Sequence, residues 1–269
     1  MKDILTEIIA SKRLLLQKQK EAVPVDLLQM DLEDNVPECH SMRAAIAASP
    51  TGIIAEFKRR SPSKGWIKED ASIETIVPEY AKSGAAALSI LTDEPYFGGK
   101  IKDLRNVRHL VDLPILRKDF IIDEYQLMQA KVIGADAILL IAAALTEDEC
   151  LTLARTAHEL KLETLLEIHN EKELSYVNEH IDMVGVNNRN LGTFHTDVEN
   201  SFRLAELLPK DMLLVSESGI SSPETIVRLR EAGFKGFLIG ETFMKTEDPG
   251  KALKEMIQGI SLNEEQHAH

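Results

Sequence analysis

The chain is short of several things, and each shortage excludes a class of protein. Its 269 residues include only 2 cysteines, Cys39 and Cys150. Two so far apart make neither a disulfide framework nor a CxxC redox or zinc site, and both read as buried reduced thiols. Basic residues are in the minority, 31 Lys and Arg against 44 Asp and Glu, for a net charge of −13. Such a balance offers no broad surface to nucleic acid or an anionic membrane, though an anionic small molecule, which feels only the local field, stays admissible. Long apolar runs are missing as well. The longest, Ala137 to Leu145, falls well short of the roughly 20 residues a membrane span requires. Residues 1–20 break their apolar positions with Lys2, Asp3, Glu7, Lys12 and Arg13, unlike the continuous core of a signal peptide. The cytoplasm is therefore the expected compartment. Neither GxGxxG nor GxxxxGK[ST] occurs, which removes the usual nucleotide signatures. There is no low-complexity segment and no internal repeat with shared residues.

What is present is an ordinary globular composition, 44% apolar and 28% charged, organised as eight short apolar runs. They are GIIAEF at 52–57, ALSIL at 87–91, PILR at 114–117, AILLI at 137–141, ETLLEI at 163–168, MVGVN at 183–187, MLLVS at 212–216 and GFLIG at 236–240. Segments of helical periodicity separate them, such as SIETIVPEYAKSGA, interrupted by Pro78, and SPETIVRLREAGF. Ser222-Pro223 reads as an N-cap followed by proline at the first helical position, and Gly84, Gly134 and Gly233 read as helix stops. Near-continuous apolar strands alternating with helices imply a parallel sheet covered on its outer face. Eight units in a row favour an α/β fold of the (β/α)8 TIM barrel type, with an open doubly wound sheet as the alternative. Residues 1–48 form an N-terminal helical extension, with a stripe at Ile4, Leu5, Ile8, Ile9, Leu15 and Leu16 and a second helix over 37–48. Residues 49–260 form the barrel, and 261–269, with His267 and His269, a frayed tail.

The strand ends carry the chemistry. AEFKRRSPSKG at 55–65 turns Glu56 and Lys58 to one side of a strand, because side chains two apart share a face. A structural ion pair explains one such strand. The same step of two, however, pairs Leu116 with Lys118, Leu165 with Glu167, Gly185 with Asn187, and Val215 with Glu217. If those faces point inward, one barrel mouth collects two lysines, three glutamates and an asparagine. Catalytic residues of such barrels come from several strand ends on that face.

AEFKRRSPSKG, LRKDF at 116–120, LLEIHNEKEL at 165–174, VNNRNLGTF at 186–194, SESGI at 216–220 and LIGETFM at 238–244 together resemble the indole-3-glycerol-phosphate synthase family. The order and spacing match across roughly 52–250, and the chain departs from the pattern in loops, at Arg60 and Asn190. The resemblance implies a carboxy-lyase of tryptophan biosynthesis that converts 1-(2-carboxyphenylamino)-1-deoxyribulose 5-phosphate to indole-3-glycerol phosphate. It implies no metal and no organic cofactor. A phosphorylated small molecule is the expected partner, with neither nucleic acid nor membrane; a monomer is expected, with other enzymes of the pathway as further partners.

Residue by residue, the resemblance makes Lys118 the general acid of ring closure and Glu167 the base that assists dehydration. Lys58 holds the substrate carboxylate or assists the second proton transfer, and the two lysines are interchangeable at this level. Glu56, Asn187 and Glu217 orient. Burial and the nearby Lys58 are expected to lower the Lys118 pKa, and apolar surroundings to raise that of Glu167. The phosphate belongs at Ser218, Gly219, Gly240 and Glu241, where backbone N–H groups approach it, with Ser61 and Arg189 as side-chain partners. Pro62, Phe97, Phe120, Leu139 and Leu191 form the slot for the aromatic ring. Arg59 to Gly65 forms a loop over the mouth.

Overall fold

A computed structural model describes residues 4–33 and 38–267, with side chains as far as residue 263. Eight strands form because each apolar run is buried on both faces. They are β1 (Ile53–Phe57), β2 (Ala87–Leu91), β3 (Ile115–Lys118), β4 (Ala137–Ile141), β5 (Glu163–Ile168), β6 (Met183–Asn187), β7 (Leu213–Glu217) and β8 (Gly236–Ile239). Every neighbouring pair is parallel, and β1 pairs with both β2 and β8, so the sheet closes into a barrel. The third strand sits one residue later than its apolar run. Pro114 has no N–H to give the ladder, although its carbonyl still accepts from Leu88 N.

Side-chain alternation divides the core in two. Ile54, Leu116, Leu139, Leu165, Val215 and Leu238 fill the barrel, whereas Ile53, Leu88, Ile138, Leu166, Val184 and Phe237 face the surrounding helices. The filled interior is a packed plug, so polar side chains further along the same faces emerge above it. Register then sets which of them meet: Glu56 lies beside Ser89, Ile141 beside Glu167, and Asn187 beside Glu217.

The extension covers both ends of this plug. It comprises α1 (Ile4–Ala22), α2 (Val25–Glu33) and α3 (Met42–Ala48), the last shorter than the 37–48 expected because Ser41 caps it by accepting from Ala44 N. Met42 and Ile46 of α3 join the interior cluster at the N-terminal end of the strands. Ser41 Oγ and Arg43 N both donate to the Glu163 carboxylate at the start of β5, which fixes α3 there. The helix α1 crosses the opposite end, with Leu5, Ile8, Lys12 and Leu16 turned inward. Leu16 packs with Leu28 of α2 and with Tyr125.

The outer layer holds α4 (Ile73–Lys82), α5 (Glu94–Phe97), α6 (Ile101–Arg108), α7 (Glu124–Val132), α8 (Glu147–Glu159), α9 (Glu199–Ala205), α10 (Pro223–Glu231), α11 (Glu241–Met244) and α12 (Pro249–His267). Ser222 accepts from Thr225 N and Pro223 opens α10, while Pro78 stays within α4. After β5 only a 3-10 turn, Glu171–Tyr176, precedes β6. The stretch 261–267, expected as a frayed tail, continues α12, whose Leu253, Met256 and Ile260 recur at helical spacing on a buried face. His269 lies outside the described residues. Among those residues no helix is long and apolar enough to cross a membrane.

Candidate active site

Above the apolar plug, five strands deliver polar side chains to one point. Lys118 at the end of β3 places Nζ 2.5 Å from Glu217 Oε2 and 3.2 Å from Glu167 Oε2. Lys58, just past β1, pairs with Glu56 Oε1 at 3.1 Å, and Ser89 Oγ donates to the other Glu56 oxygen at 3.0 Å. Asn187 accepts from Arg189 N at 3.0 Å. The second Glu167 oxygen lies 3.2 Å from His169 Nε2, at ion-pair distance but without hydrogen-bond alignment, and His169 Nδ1 lies 3.3 Å from Glu173 Oε2. Residue 185 has to be glycine for Glu217 to fit: a Cβ there would stand 2.1 Å from Glu217 Oε1. That oxygen is buried and has no hydrogen-bond partner.

The charges of this cluster reverse two expectations. Burial alone would lower the Lys118 pKa, but Glu217, Glu167 and Glu56 together hold it well above the ordinary lysine value. The expected lowering counted Lys58 as a neighbour. In the structure Lys58 is neutralised by Glu56, and carboxylates face Lys118 instead. Burial would likewise raise Glu167, yet Lys118 on one side and His169 on the other hold it below the usual carboxylate range. The raised carboxyl is Glu217. Burial, with like charge from Glu167 and Glu56, pushes it up to about 7 despite the adjacent ammonium. The difference has a cause. Glu167 has two cationic neighbours, whereas Glu217 has one and an unpaired oxygen. His169, between Glu167 and Glu173, is pushed up to about 10 against the pull of burial.

Two flanks extend from the cluster. One is apolar: Pro62, Phe97, Phe120, Leu139 and Leu191 line it, with Ile4, Leu5 and Ile8 of α1 closing it from above. The rings of Phe97 and Phe120 stand 6.0 Å apart. The other flank is polar, lined by Arg189, Ser218, Gly219, Gly240 and Glu241 together with Ser63 and Lys64. Ser218 and Gly219 both take left-handed backbone, φ 67° and 77°, where the chain turns after β7 beside this flank. Arg189 donates to Ser63 Oγ at 2.9 Å and to Glu241 Oε2 at 3.4 Å. Ser61 does not line the flank. It is 1% exposed and sits behind Ser63, with their hydroxyls 3.4 Å apart. The loop between β1 and α4 carries a two-residue hairpin, Arg60–Ser61 with Gly65–Trp66. Arg59 anchors its base through Asp103 at 2.6 Å and the carbonyls of Ala71 and Gly98.

Further residues at and around this site carry a signal in the sequence. His169 follows Glu167 by two, so the step-of-two argument applies to it as to the others. Lys12 occupies the apolar stripe of α1, and a lysine at such a position asks for buried acids; it finds Asp93 and Asp119, each at 2.7 Å. Phe194, at φ 58° and lining both flanks, gave no local signal. Among the described residues no three His, Cys, Asp or Glu side chains are grouped to hold a metal ion.

Comparison with known proteins agrees with this geometry. The family model described as indole-3-glycerol phosphate synthase matches residues 5–256. An indole-3-glycerol phosphate synthase of Bacteroides thetaiotaomicron is 64% identical over 260 residues, 97% of this chain and 100% of the relative. One of Polaromonas naphthalenivorans is 43% identical, over 95% of this chain and 99% of its own. Among solved structures, 3-hexulose-6-phosphate synthase of Salmonella typhimurium superposes with a TM-score of 0.63 at 10% identity, over 78% of this chain and 99% of that one. Tryptophan synthase subunit alpha of Legionella pneumophila gives 0.60 at 14%, over 87% and 98%. Those two likenesses speak to the barrel alone. A match that runs through the extension, all eight strands and the polar mouth places the chain in the indole-3-glycerol phosphate synthase family.

Proposed function

We propose that the chain acts as an indole-3-glycerol phosphate synthase, a carboxy-lyase that closes the indole ring of 1-(2-carboxyphenylamino)-1-deoxyribulose 5-phosphate with loss of carbon dioxide and water. The observation that carries the reading is the Lys118 ammonium, set between Glu217 and Glu167 where an apolar flank meets a polar one. An aromatic ring fits the first flank and a phosphorylated sugar chain the second, which brings the sugar carbonyl between them.

In ring closure an aromatic carbon attacks that carbonyl and charge develops on its oxygen. Lys118 delivers the proton. Its ammonium is too firmly held to protonate a ketone at rest, but the alkoxide formed in the step is far more basic than the surrounding carboxylates. Donation therefore becomes favourable only as the new bond forms, which is where catalysis gains from it. The substrate carboxylate then leaves as carbon dioxide and returns its electron pair to the ring; Lys58, beside Glu56, steadies that anion. Dehydration follows, with Glu167 as the base that takes the last proton. Its lowered pKa keeps it ionised for this role at neutral pH. Glu217 exchanges a proton readily near 7 and can restore Lys118. Asn187 and Glu56 orient the chain hydroxyls. The phosphate is held by Arg189, Ser63 and the peptide groups of Ser218, Gly219, Gly240 and Glu241, where only the Glu241 backbone has to meet the anion.

Purified protein mixed with the carboxyphenylamino substrate should develop indole fluorescence, and should still do so after exhaustive dialysis against EDTA. Folded protein that forms no indole overturns the reading. Activity that returns only with added divalent metal overturns the mechanism.

A further inference from the structure

The Glu167 carboxylate is built into a relay that the reaction steps above leave unused. Glu173, one turn past β5, is fixed first: Asn170 Nδ2 donates to its Oε1 at 2.7 Å and the His169 backbone N–H to its Oε2 at 2.6 Å. That same Oε2 faces His169 Nδ1 at 3.3 Å, and Nε2 lies 3.2 Å from Glu167 Oε1, within ion-pair reach though off the hydrogen-bond line. Asn200 of α9 donates to the His169 carbonyl at 3.1 Å and to that of Asn187 at 3.3 Å, so the ends of β5 and β6 are pinned together around the ring. All three side chains are well shielded, with exposures of 4% for Glu167, 11% for His169 and 13% for Glu173.

We propose that His169, oriented and charged by Glu173, is a positioning residue that keeps Glu167 an ionised base. The inference rests on the function proposed above. The groups facing Glu167 are Lys118 from β3, Asn187 from β6, Glu217 from β7 and His169 from its own strand; Glu56 from β1 adds charge to Lys118 and Glu217. Lys118 is committed to proton donation and goes neutral during the cycle. At that moment the imidazolium is the remaining cation beside Glu167. Without it the carboxylate would face Glu217 alone and would take up a proton too early. A carboxylate partner of this kind fixes the direction of the ring and favours its charged form.

Glu167 has to be ionised to accept a proton, and loss of a neighbouring cation raises the pH at which it ionises. His169→Gln should therefore move the acid limb of kcat upward by about one unit, which is about tenfold at the low end. Expected are a kcat roughly tenfold below wild type at the acid end of the profile, below the usual carboxylate range, recovery to within about threefold by pH 7, and little change in KM. Glu173→Gln leaves the imidazole in place and should shift the limb the same way by less. The two changes combined should shift it no further than His169→Gln alone, since both act through one ring. Nitrogen NMR of the free wild-type protein supplies a readout independent of turnover: both ring nitrogens of His169 should remain protonated through pH 8. A neutral His169 at pH 7 overturns the proposal. So does a kcat lowered equally at every pH, which is what a purely structural contact would produce. Wild-type protein that makes no indole overturns the function instead, with the NMR result still deciding the state of the ring. Should His169→Gln fail to fold, an unmoved limb in Glu173→Gln overturns the proposal.

Discussion

Lys12 and Lys118 are each set between two carboxylates, the first buried and the second half-buried, and they illustrate different uses of the same chemistry. Lys12 reaches from α1 into the barrel, 3% exposed, with Asp93 and Asp119 each at 2.7 Å. Its acceptors are saturated. Asp119 also takes Arg117 Nη2 at 3.0 Å, Thr92 Oγ1 at 2.7 Å and Phe120 N at 2.8 Å, while Asp93 caps α5 through Tyr96 N. Two cations meet two anions; Asp119 is held below the ordinary carboxylate range against the effect of burial, while burial raises the Asp93 carboxyl in spite of Lys12. Around Lys118 nothing balances so neatly. Glu217 keeps an oxygen without a partner, its carboxyl is pushed up to about 7, and the cluster opens on a cavity. A buried charge cluster that is complete serves the fold, whereas one left incomplete is free to move protons.

The sharpest way to break this contrast is to replace each lysine. At Lys118, arginine keeps the charge but scarcely releases a proton near neutral pH. Lys118→Arg should bind substrate within roughly tenfold of wild type while kcat falls by about a hundredfold or more, the usual weight of a positioned acid. Lys118→Met tests the charge itself. If arginine keeps kcat within a few-fold and methionine does not, charge alone suffices and Lys58 becomes the donor. At Lys12 the effect should fall on the fold. Lys12→Met leaves Asp93 without a cation and Asp119 with Arg117 alone, and breaking a buried pair from one side costs about 3–5 kcal/mol. Urea unfolding should show that loss, with kcat per folded molecule changed by no more than about threefold. A large kcat defect in Lys12→Met would merge the two classes.

The contrast also marks how far residues alone could be read. The eight strands were legible because short apolar runs alternating with helical periodicity have few other uses, and the inward ends followed from the step of two. The proton affinities of Lys118 and Glu167 were not. Alternation tells which face a side chain is on, but which residues meet across the barrel depends on register. Register put Asn187 beside Glu217, and the barrel's closure brought Lys118 to both glutamates rather than to Lys58. Ser61 and Ser63 are both small hydroxyls in the loop AEFKRRSPSKG, and only the hairpin turn decides which one reaches Arg189. Polar 263–267 looked like a tail because a helix tethered by Leu253, Met256 and Ile260 needs no apolar residue in its last turn.

A middle-sized effect is expected on the polar flank. Gly219 has φ 77°, and a Cβ there would lie 2.7 Å from Thr196 Cγ2, so any side chain brings strain of about 1–2 kcal/mol. Gly219→Ala measures that strain. Gly219→Asp adds a negative charge where the phosphate is placed, and its KM should exceed that of the alanine variant about tenfold or more, with kcat changing less. Equal KM values for the two variants would move the phosphate elsewhere.

The smallest effect is also the most discriminating, because its sign differs between the clusters. Asp119 is depressed, so its ionised form stabilises the fold above about pH 4 and that contribution fades as pH falls further. Asp119→Asn should therefore cost about 2 kcal/mol at pH 7, with the gap to wild type closing in acid. Glu217 is raised to about 7, so the folded protein prefers it protonated. Its favourable contribution is complete below the ordinary carboxyl range and is lost as pH rises through 7. Glutamine mimics the protonated form at every pH. Glu217→Gln should thus be more stable than wild type by at least about 1 kcal/mol at pH 8 and equal to it only below the ordinary carboxyl range, while losing activity. Thermal unfolding of the four combinations at three pH values measures both slopes. If Glu217→Gln loses stability at pH 8 as Asp119→Asn does, the cluster around Lys118 is as complete as the one around Lys12, and its unpaired oxygen is not where the proton goes.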